Sequence, residues 1–184
     1  MVYKFLKEDE EDKIKIFGNS SLDAGECLNI YGDQYVGKTT LCFYIIKNNP
    51  NKNVVYVASE VLDPLYRTKL RELTNNKVYI LDCFNVESLV KIIEEVPTEI
   101  VVIDSLTAMN YIADKKDLEK LFGIISQKKI HLILVSQIRS FKGKEYYEHK
   151  KILDFFSYKI KVEKKLDCMV LDKKEKIPFS DIWC

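Results

Sequence analysis

Five short runs of consecutive apolar residues recur along the chain, separated by polar and amphipathic stretches. A continuous apolar run of about four to eight residues is typical of a strand buried on both faces, whereas a half-exposed strand alternates apolar with polar residues. Turn-forming residues bound the runs, most clearly at 48–53, where a proline lies among asparagines. We therefore predict buried strands at 27–31, Val54–Ala58, Val78–Leu81, 100–103 and 131–135.

The stretches between these runs have the apolar spacing of amphipathic helices. One begins at Pro64, a residue suited to the first turn of a helix, and continues through 65–73. Another covers 89–96 and ends before Pro97, and a third covers 118–125. Strands that alternate with helices indicate a mainly parallel sheet covered by helices on both faces, so the predicted fold class is α/β.

The N-terminal part of the chain has a different pattern. Within 1–24, an acidic run at 8–12 precedes alternating residues at 13–17. Five like charges repel one another and stay solvated, and the alternation favours an arm or an edge strand ahead of the core. We therefore expect an N-terminal segment, 1–24, and one core domain, 25–184.

The C-terminal part, from about residue 155, also departs from the buried-strand pattern. Residues alternate between apolar and polar at 158–162 and again at 166–171, and a short segment follows at 177–182. Alternation is typical of strands with one solvated face, as in antiparallel sheets. We predict antiparallel strands added at the C-terminal edge of the sheet.

Composition narrows the class of protein. At 184 residues the chain is long enough for one domain with a substantial core. No apolar run approaches the roughly 18 residues that span a membrane, and the first residues lead into acids rather than into a signal peptide. We therefore expect a cytoplasmic protein without a membrane partner. The net charge of +1 gives no overall attraction to nucleic acid, and the five cysteines include no C-x-x-C pair.

The clearest motif lies between the first predicted strand and an apolar segment at 40–46. Residues 32–39 read G-x-x-x-x-G-K-[ST], the phosphate-binding loop of nucleoside triphosphatases. Its glycines allow the backbone to approach an anion, so that successive N–H groups point at a phosphate. Lys38 should reach the β- and γ-phosphates of ATP, and the Thr39 hydroxyl should bind Mg²⁺. The predicted nucleotide-binding residues here are Gly32, Asp33, Gln34, Tyr35, Val36, Gly37, Lys38, Thr39 and Thr40.

Three further candidates follow predicted strands. In an open parallel sheet the ligand lies at the carboxyl ends of the strands, so side chains there are candidates for chemistry. Asp104 is expected to hold Mg²⁺ directly or through water. Glu60 could orient and deprotonate the attacking water, and Gln137, which we place at the end of a strand over 131–136, could hydrogen-bond the γ-phosphate. The predicted catalytic residues are therefore Glu60, Gln137 and Lys38.

Taken together, the motifs resemble those of the RecA-like ATPases. The match is closest to the archaeal RadA and RadB recombinase branch and covers about residues 22–182. It is carried, in order and spacing, by 28–39, by Ser59-Glu60, by 102–108 and by 134–138.

This resemblance implies a RecA-like fold and a division of roles. The residue matching the family's water-activating glutamate is Glu60, and the one matching its Mg²⁺-binding aspartate is Asp104. Gln137 matches the γ-phosphate sensor. Arg67, seven residues after Glu60, matches an arginine that lies beside the adenine.

Two features differ from the recombinase pattern. The sensor reads Ser136-Gln137 where recombinases usually have Asn-Gln, which is closer to the KaiC-like and DnaB-helicase branches. The segment 110–116 is short where the first DNA loop of recombinases is longer and rich in arginine. Full strand exchange is therefore not expected, whereas a recombinase paralogue is.

A basic region follows the sensor. Residues 139–165 include nine lysines and arginines against four acids, with aromatic residues interleaved. Cations that track phosphates and rings that stack on bases are what single-stranded DNA binding requires, although a solvated lysine-rich surface has the same composition. The candidate DNA-binding residues are Arg139, Lys142, Lys144, Tyr146, Tyr147, Lys150 and Lys151.

From these features we expect an ATP- and Mg²⁺-binding, slowly hydrolysing, DNA-dependent ATPase. It would act as an accessory recombinase paralogue in DNA recombination or repair. Its partners would be single-stranded DNA and a recombinase or other protein, and it could form a homo-oligomer. One alternative is a KaiC-like regulatory ATPase that acts on proteins without DNA. The other is an adaptor that binds ATP structurally.

Overall fold

The structure is a computed structural model of the 184-residue chain. For 115, 118, 139–141, 144–147, 175, 182 and 183 we describe the backbone only. The residues described are 12–58, 62–75, 77–82, 86–105, 115–141, 144–147, 156–165, 168–172, 175–178 and 180–183.

A mainly parallel sheet forms the centre of the molecule. In the described part of the chain it has nine strands, and six neighbouring ones run parallel in the order β9-β3-β7-β6-β4-β5. The five predicted buried strands are all present in it. They are β3 (Cys27–Gly32), β4 (Val54–Ala58), β5 (Val78–Leu81), β6 (Ile100–Asp104) and β7 (His131–Phe141), with β9 at Tyr158–Lys165.

Helices cover both faces of the sheet, as the alternating pattern predicted. One cluster of buried residues joins the sheet to α1 and α2, and a second joins it to α3 and α4. In β4, Tyr56 and Ala58 belong to the first cluster, whereas Val55 and Val57 belong to the second. Continuous apolar runs were therefore needed, because successive side chains enter different cores. The helices are α1 (Lys38–Lys47), α2 (Pro64–Leu73), α3 (Val86–Glu95) and α4 (Lys115–Gln127).

The antiparallel addition at the C-terminal edge is confirmed. Strand β9 pairs in parallel with β3, and β10 (Cys168–Leu171) and β11 (Glu175–Pro178) continue the sheet in antiparallel order. The predicted strand over 177–182 is wrong beyond Pro178. A short helix, α5 (Ser180–Trp183), follows instead, and the Asp181 carbonyl accepts a hydrogen bond from Lys47 Nζ at 2.7 Å.

At the N-terminus, β1 (Ile14–Phe17) and β2 (Ser20–Leu22) form an antiparallel hairpin with its own two-stranded sheet. It is therefore not an edge strand of the large sheet. Ile14 and Ile16 are buried in the cluster that contains α1. Asn49, just after α1, fixes the hairpin, because its side chain accepts from Lys15 N at 2.9 Å and donates to Lys15 O at 2.8 Å.

Strand β7 extends further than predicted. Gln137 does not end it, because it continues to Phe141 and pairs in antiparallel register with β8 (Lys144–Tyr147). The start of the basic region that follows Gln137 is thus a β-hairpin in its described part. Its aromatic residues, Phe141, Tyr146 and Tyr147, favour extended backbone. No described helix is long and apolar enough to span a bilayer.

Candidate nucleotide-binding site

The phosphate loop connects β3, which ends at Gly32, to α1, which begins at Lys38. Gly37 caps α1 with a φ of 103°, a left-handed conformation that glycine adopts without steric cost. Gly32 is required for a different reason. A Cβ there would overlap the carbonyl oxygen of Val162 on β9 and lie 3.2 Å from Cγ2 of Val36. The loop therefore rests directly on the neighbouring strand.

The N-terminus of α1 points out of this loop. Its first turn contains no acidic residue, and no side chain in the described part of the chain caps it at Gly37. The first N–H groups of a helix lack intrahelical partners and carry part of the positive end of the helix dipole. This end of α1 thus has the electrostatic character of an anion site, which fits a phosphate group.

Lys38 is the cation of the loop, and only 7% of its surface is exposed. Its Nζ donates to Gly32 O at 3.1 Å and also to Asp33 O. Burial lowers the pKa of Lys38, and the carboxylates of Asp104 and Asp33 act in the opposite direction. The ammonium group is therefore held among loop carbonyls in a desolvated position, where a phosphate oxygen would be a stronger partner.

Thr39 and Asp104 come from different elements and meet beside Lys38. The Thr39 hydroxyl donates to Asp104 Oδ2 at 2.6 Å, which joins the first turn of α1 to the carboxyl end of β6. A hydroxyl and a carboxylate are hard oxygen ligands of the kind that Mg²⁺ prefers. The pair thus fits the predicted metal role, although among the described residues no group of three or more His, Cys, Asp or Glu gathers.

Tyr56 completes this cluster and was not predicted from the sequence. Its side chain is fully buried, and its hydroxyl donates to the same Asp104 Oδ2 at 2.8 Å. Burial raises the pKa of Tyr56 well above its usual value, and the negative charge of Asp104 adds to that shift. The phenol is therefore a neutral donor. In the sequence, Tyr56 lies inside an apolar run. The one indication of a polar role was that it is the only side chain of Val54–Ala58 that can form a hydrogen bond.

Gln137 lies close to the phosphate loop. Gln34 Nε2 donates to Gln137 Oε1 at 3.3 Å, and Gly32 pairs with Gln137 in the register of β3 and β7. The predicted sensor, Gln137, thus lies beside the phosphate loop, which is where a γ-phosphate sensor would have to lie.

A buried polar pair lies beneath the loop, between the same two strands. Ser136 Oγ donates to Asn29 Oδ1 at 2.8 Å, and both residues are buried. Asn29 Nδ2 has no hydrogen-bond partner among the described residues. An asparagine in a buried strand next to a phosphate loop was visible in the sequence, but its partner was not, because that contact depends on strand order.

The structure gives less support for two other predicted site residues. The side chain of Arg67, on α2, donates from Nε to Leu62 O at 3.0 Å, and its guanidinium pairs with Asp82. Its role beside adenine stays a prediction. Glu60, the predicted base, lies outside the described residues.

The candidate DNA-binding residues fall on the β7–β8 hairpin and beyond it. Lys142, Lys150 and Lys151 lie outside the described residues. For the others the backbone alone is described, and Arg139 pairs with Tyr146 across the hairpin. The remaining two are Lys144 and Tyr147.

Two cysteines of the described chain have raised pKa values. Burial raises the pKa of Cys42, on α1, well above its usual value, and that of Cys27, on β3, to about 11. Cys42 is buried, whereas Cys27 is only partly buried. A thiol that is protonated at neutral pH is a weak nucleophile, because the thiolate is the reactive form.

Comparison with known proteins supports the fold. The sequence matches no protein-family profile and no curated protein. Among solved structures, the chain is similar to a KaiC-like protein from the hyperthermophilic archaeon Pyrococcus horikoshii, with a TM-score of 0.59 and 18% sequence identity. The superposition covers 85% of this chain and 83% of the other. At this level of identity the likeness shows the fold alone, so the chain has the RecA-like α/β fold of a KaiC-like protein, as its motifs predicted.

Proposed function

We propose that this protein binds ATP together with Mg²⁺ and hydrolyses it slowly. The observation that carries the proposal is the 2.6 Å contact between Thr39 and Asp104, made beside a buried lysine at the start of α1. A cation, a hydroxyl and a carboxylate from two separate elements thus converge on one helix N-terminus. A surface lysine in an ordinary glycine-containing turn would have no reason to be buried there.

The phosphate-binding step follows from the contacts of Lys38. Its Nζ is already desolvated and donates to two loop carbonyls. A charged phosphate oxygen is a better acceptor than a neutral carbonyl, so Lys38 would exchange these bonds for bonds to ATP. The loop backbone and the uncapped end of α1 would supply further N–H donors.

Thr39 and Asp104 would hold the metal ion. A hydroxyl has one donor and two acceptor lone pairs, so Thr39 can keep its bond to Asp104 while it presents a lone pair to Mg²⁺. When bound, Mg²⁺ neutralises charge on the phosphates. The carboxylate of Asp104 raises the electron density on the Thr39 oxygen and fixes its direction.

Hydrolysis additionally needs a base and a group that responds to the γ-phosphate. We assign these roles to Glu60 and Gln137, as the resemblance to RecA-like ATPases implies. The contact of Gln137 with Gln34 supports its part, because a sensor must lie beside the phosphate loop. A sensor that moves with the γ-phosphate would also move the strand that leads into the β7–β8 hairpin.

For the biological role, we propose a DNA-dependent accessory recombinase paralogue in recombination or repair. The basic hairpin that continues the sensor strand supports it, since single-stranded DNA would bind to lysines and stack on tyrosines there. A KaiC-like regulatory ATPase acting on proteins is the second candidate. The serine at position 136 and the similarity to a KaiC-like structure favour it.

The test is an ATP-binding titration with and without Mg²⁺, followed by ATPase assays with and without single-stranded DNA at several salt concentrations. Mg²⁺-dependent binding with DNA-stimulated turnover supports the full proposal. Turnover without any effect of DNA favours the regulatory ATPase, and binding without turnover favours a structural role for ATP. Failure to bind ATP at millimolar concentration would contradict the site itself.

A further inference from the structure

Tyr56 contacts Asp104, one of the two residues that the proposed function assigns to Mg²⁺. Its position in the middle of a buried strand does not indicate this contact. Its hydroxyl and that of Thr39 both donate to one oxygen, Asp104 Oδ2, over 2.8 Å and 2.6 Å. The three residues come from β4, α1 and β6, so one carboxylate oxygen joins three elements. Two donors on one oxygen restrict the rotation of the carboxylate more than a single donor can.

The ring of Tyr56 is itself held in place. It packs edge-on against Phe43 of α1, with 5.7 Å between the ring centroids, and it is fully buried. A buried, packed ring has one available rotamer, so its hydroxyl has a fixed position. The position of the donor is therefore set by the core of the protein and not by the phosphate loop.

We propose that Tyr56 is a positioning residue for the metal: it orients the carboxylate of Asp104 toward Thr39 and thereby sets the affinity of the site for Mg²⁺. This inference rests on the proposed function, because it concerns the same Mg²⁺–nucleotide site. Tyr56 acts through Asp104 and touches neither the nucleotide nor the reacting atoms. Partners in the outer shell of a metal site commonly change metal affinity by about 10- to 100-fold when they are removed.

The test compares Mg²⁺ dependence in the wild type and in Tyr56→Phe, which removes the hydroxyl and keeps the ring. The affinity for a fluorescent ATP analogue is measured over a Mg²⁺ titration and in excess chelator. We expect the Mg²⁺ concentration for half-maximal effect to rise about 10-fold or more, with the affinity in chelator unchanged. Binding of Mn²⁺ in the presence of ADP, followed by its electron paramagnetic resonance signal, should weaken in parallel.

Three controls separate orientation from packing. Tyr79→Phe removes a phenol from an exposed position on β5 and should change nothing. Phe43→Leu disturbs the packing of Tyr56 but leaves its hydroxyl, so it should change the Mg²⁺ dependence less than Tyr56→Phe does. A 4-aminophenylalanine at position 56 restores a donor and should restore the wild-type Mg²⁺ dependence. If Tyr56→Phe does not fold, 4-fluorophenylalanine fills the same space without donating and takes its place.

An unchanged Mg²⁺ dependence in the variant without a donor would overturn the inference and leave the proposed function intact. So would a failure of 4-aminophenylalanine at position 56 to restore the wild-type Mg²⁺ dependence, since that would mean that the lost donor is not the cause of the shift. A wild type that binds no nucleotide in Mg²⁺ would overturn both.

Discussion

Gln34, on the phosphate loop, donates a side-chain hydrogen bond to Gln137 on β7 across 3.3 Å. The bond is exposed, so its net contribution to stability is at most about 1 kcal/mol. Its importance lies in what it joins. The loop that would hold the phosphates contacts the strand that leads into the basic hairpin, and a ligand that displaces one of the two glutamines removes a hydrogen-bond partner of the other.

Replacing Gln137 by alanine should therefore remove discrimination between ATP and ADP more than it weakens binding. We expect the ATP affinity to fall by less than about 10-fold, since the substitution removes one neutral hydrogen bond. The ratio of ATP to ADP affinities should approach one, and turnover should fall. Titrations with both nucleotides measure this. Gln127→Ala, at the exposed end of α4, serves as the control. A retained ratio would exclude Gln137 as the sensor.

Lys38→Ala should abolish ATP binding and leave the fold intact. The substitution removes two charge-assisted hydrogen bonds to phosphates, which corresponds to an affinity decrease of about 100-fold or more. Lys38 belongs to neither cluster of buried apolar residues, so the protein should remain folded without it. Calorimetric binding and urea unfolding check both statements. Lys47→Ala, at the other end of α1, is the matched variant and should bind ATP normally.

Glu60→Gln should separate binding from chemistry. The amide keeps the size and polarity of the side chain but cannot accept a proton, so turnover should drop about 100-fold or more while ATP still binds. Single-turnover hydrolysis is the measurement. Glu72→Gln, on the exposed face of α2, should hydrolyse at the wild-type rate. Retained turnover in Glu60→Gln would mean that another residue activates the water.

The protein should lose stability on acidification because of His131. Burial lowers the pKa of His131 below its usual value of about 6.5, and the nearby charge of Lys52 adds to that shift. The ring nitrogen Nε2 lies 3.0 Å from Asp12 O, whereas Nδ1 is buried without a partner among the described residues. A proton on this ring is thus bound more weakly in the folded than in the unfolded chain.

The stability is therefore complete above the unfolded-state pKa and is lost as the pH falls from about 6.5 toward the folded-state pKa, by at most about 1.4 kcal/mol per pH unit. Urea unfolding at pH 7.5, 6.5 and 5.5 would measure the loss. His131→Gln keeps a donor for Asp12 but does not titrate, so its stability should vary less over this range. An equal pH dependence in both proteins would assign the effect to other groups.

Neutralising Lys142, Lys144, Lys150 and Lys151 together should weaken single-stranded DNA binding. For each DNA phosphate that a lysine no longer neutralises, the slope of log affinity against log salt should flatten by roughly 0.7. Fluorescence anisotropy at several salt concentrations, with and without ATP, gives both quantities. The control removes the same charge from four exposed lysines that lie outside the hairpin. These are Lys91, Lys116, Lys120 and Lys129.

An unchanged affinity and salt slope would exclude the hairpin as the contact surface. No DNA binding by the wild type in either nucleotide state would favour the regulatory ATPase.

Strands and helices that depend on the local residue pattern could be predicted from the sequence, whereas side-chain contacts that depend on strand order could not. The five buried strands, and the helix that begins at Pro64, follow from apolar runs and turn residues. The contact between Tyr56 and Asp104 does not, because it requires β4 and β6 to be neighbours although β5 lies between them in the chain. The same holds for Asn29 and Ser136, which meet because β3 pairs with β7. The extension of β7 was not predicted, because the sensor role of Gln137 suggests a strand end there and the pairing with β8 is not visible in the local pattern.

The position of Gly32 has a practical consequence for experiments on the phosphate loop. Alanine substitution of loop glycines is a common way to ask whether a loop binds phosphate. Here, a methyl group at position 32 would collide with the backbone of β9 before any ligand is involved. Loss of ATP binding in Gly32→Ala would therefore be explained by displacement of the C-terminal edge of the sheet. It would give no information on how the loop recognises phosphate.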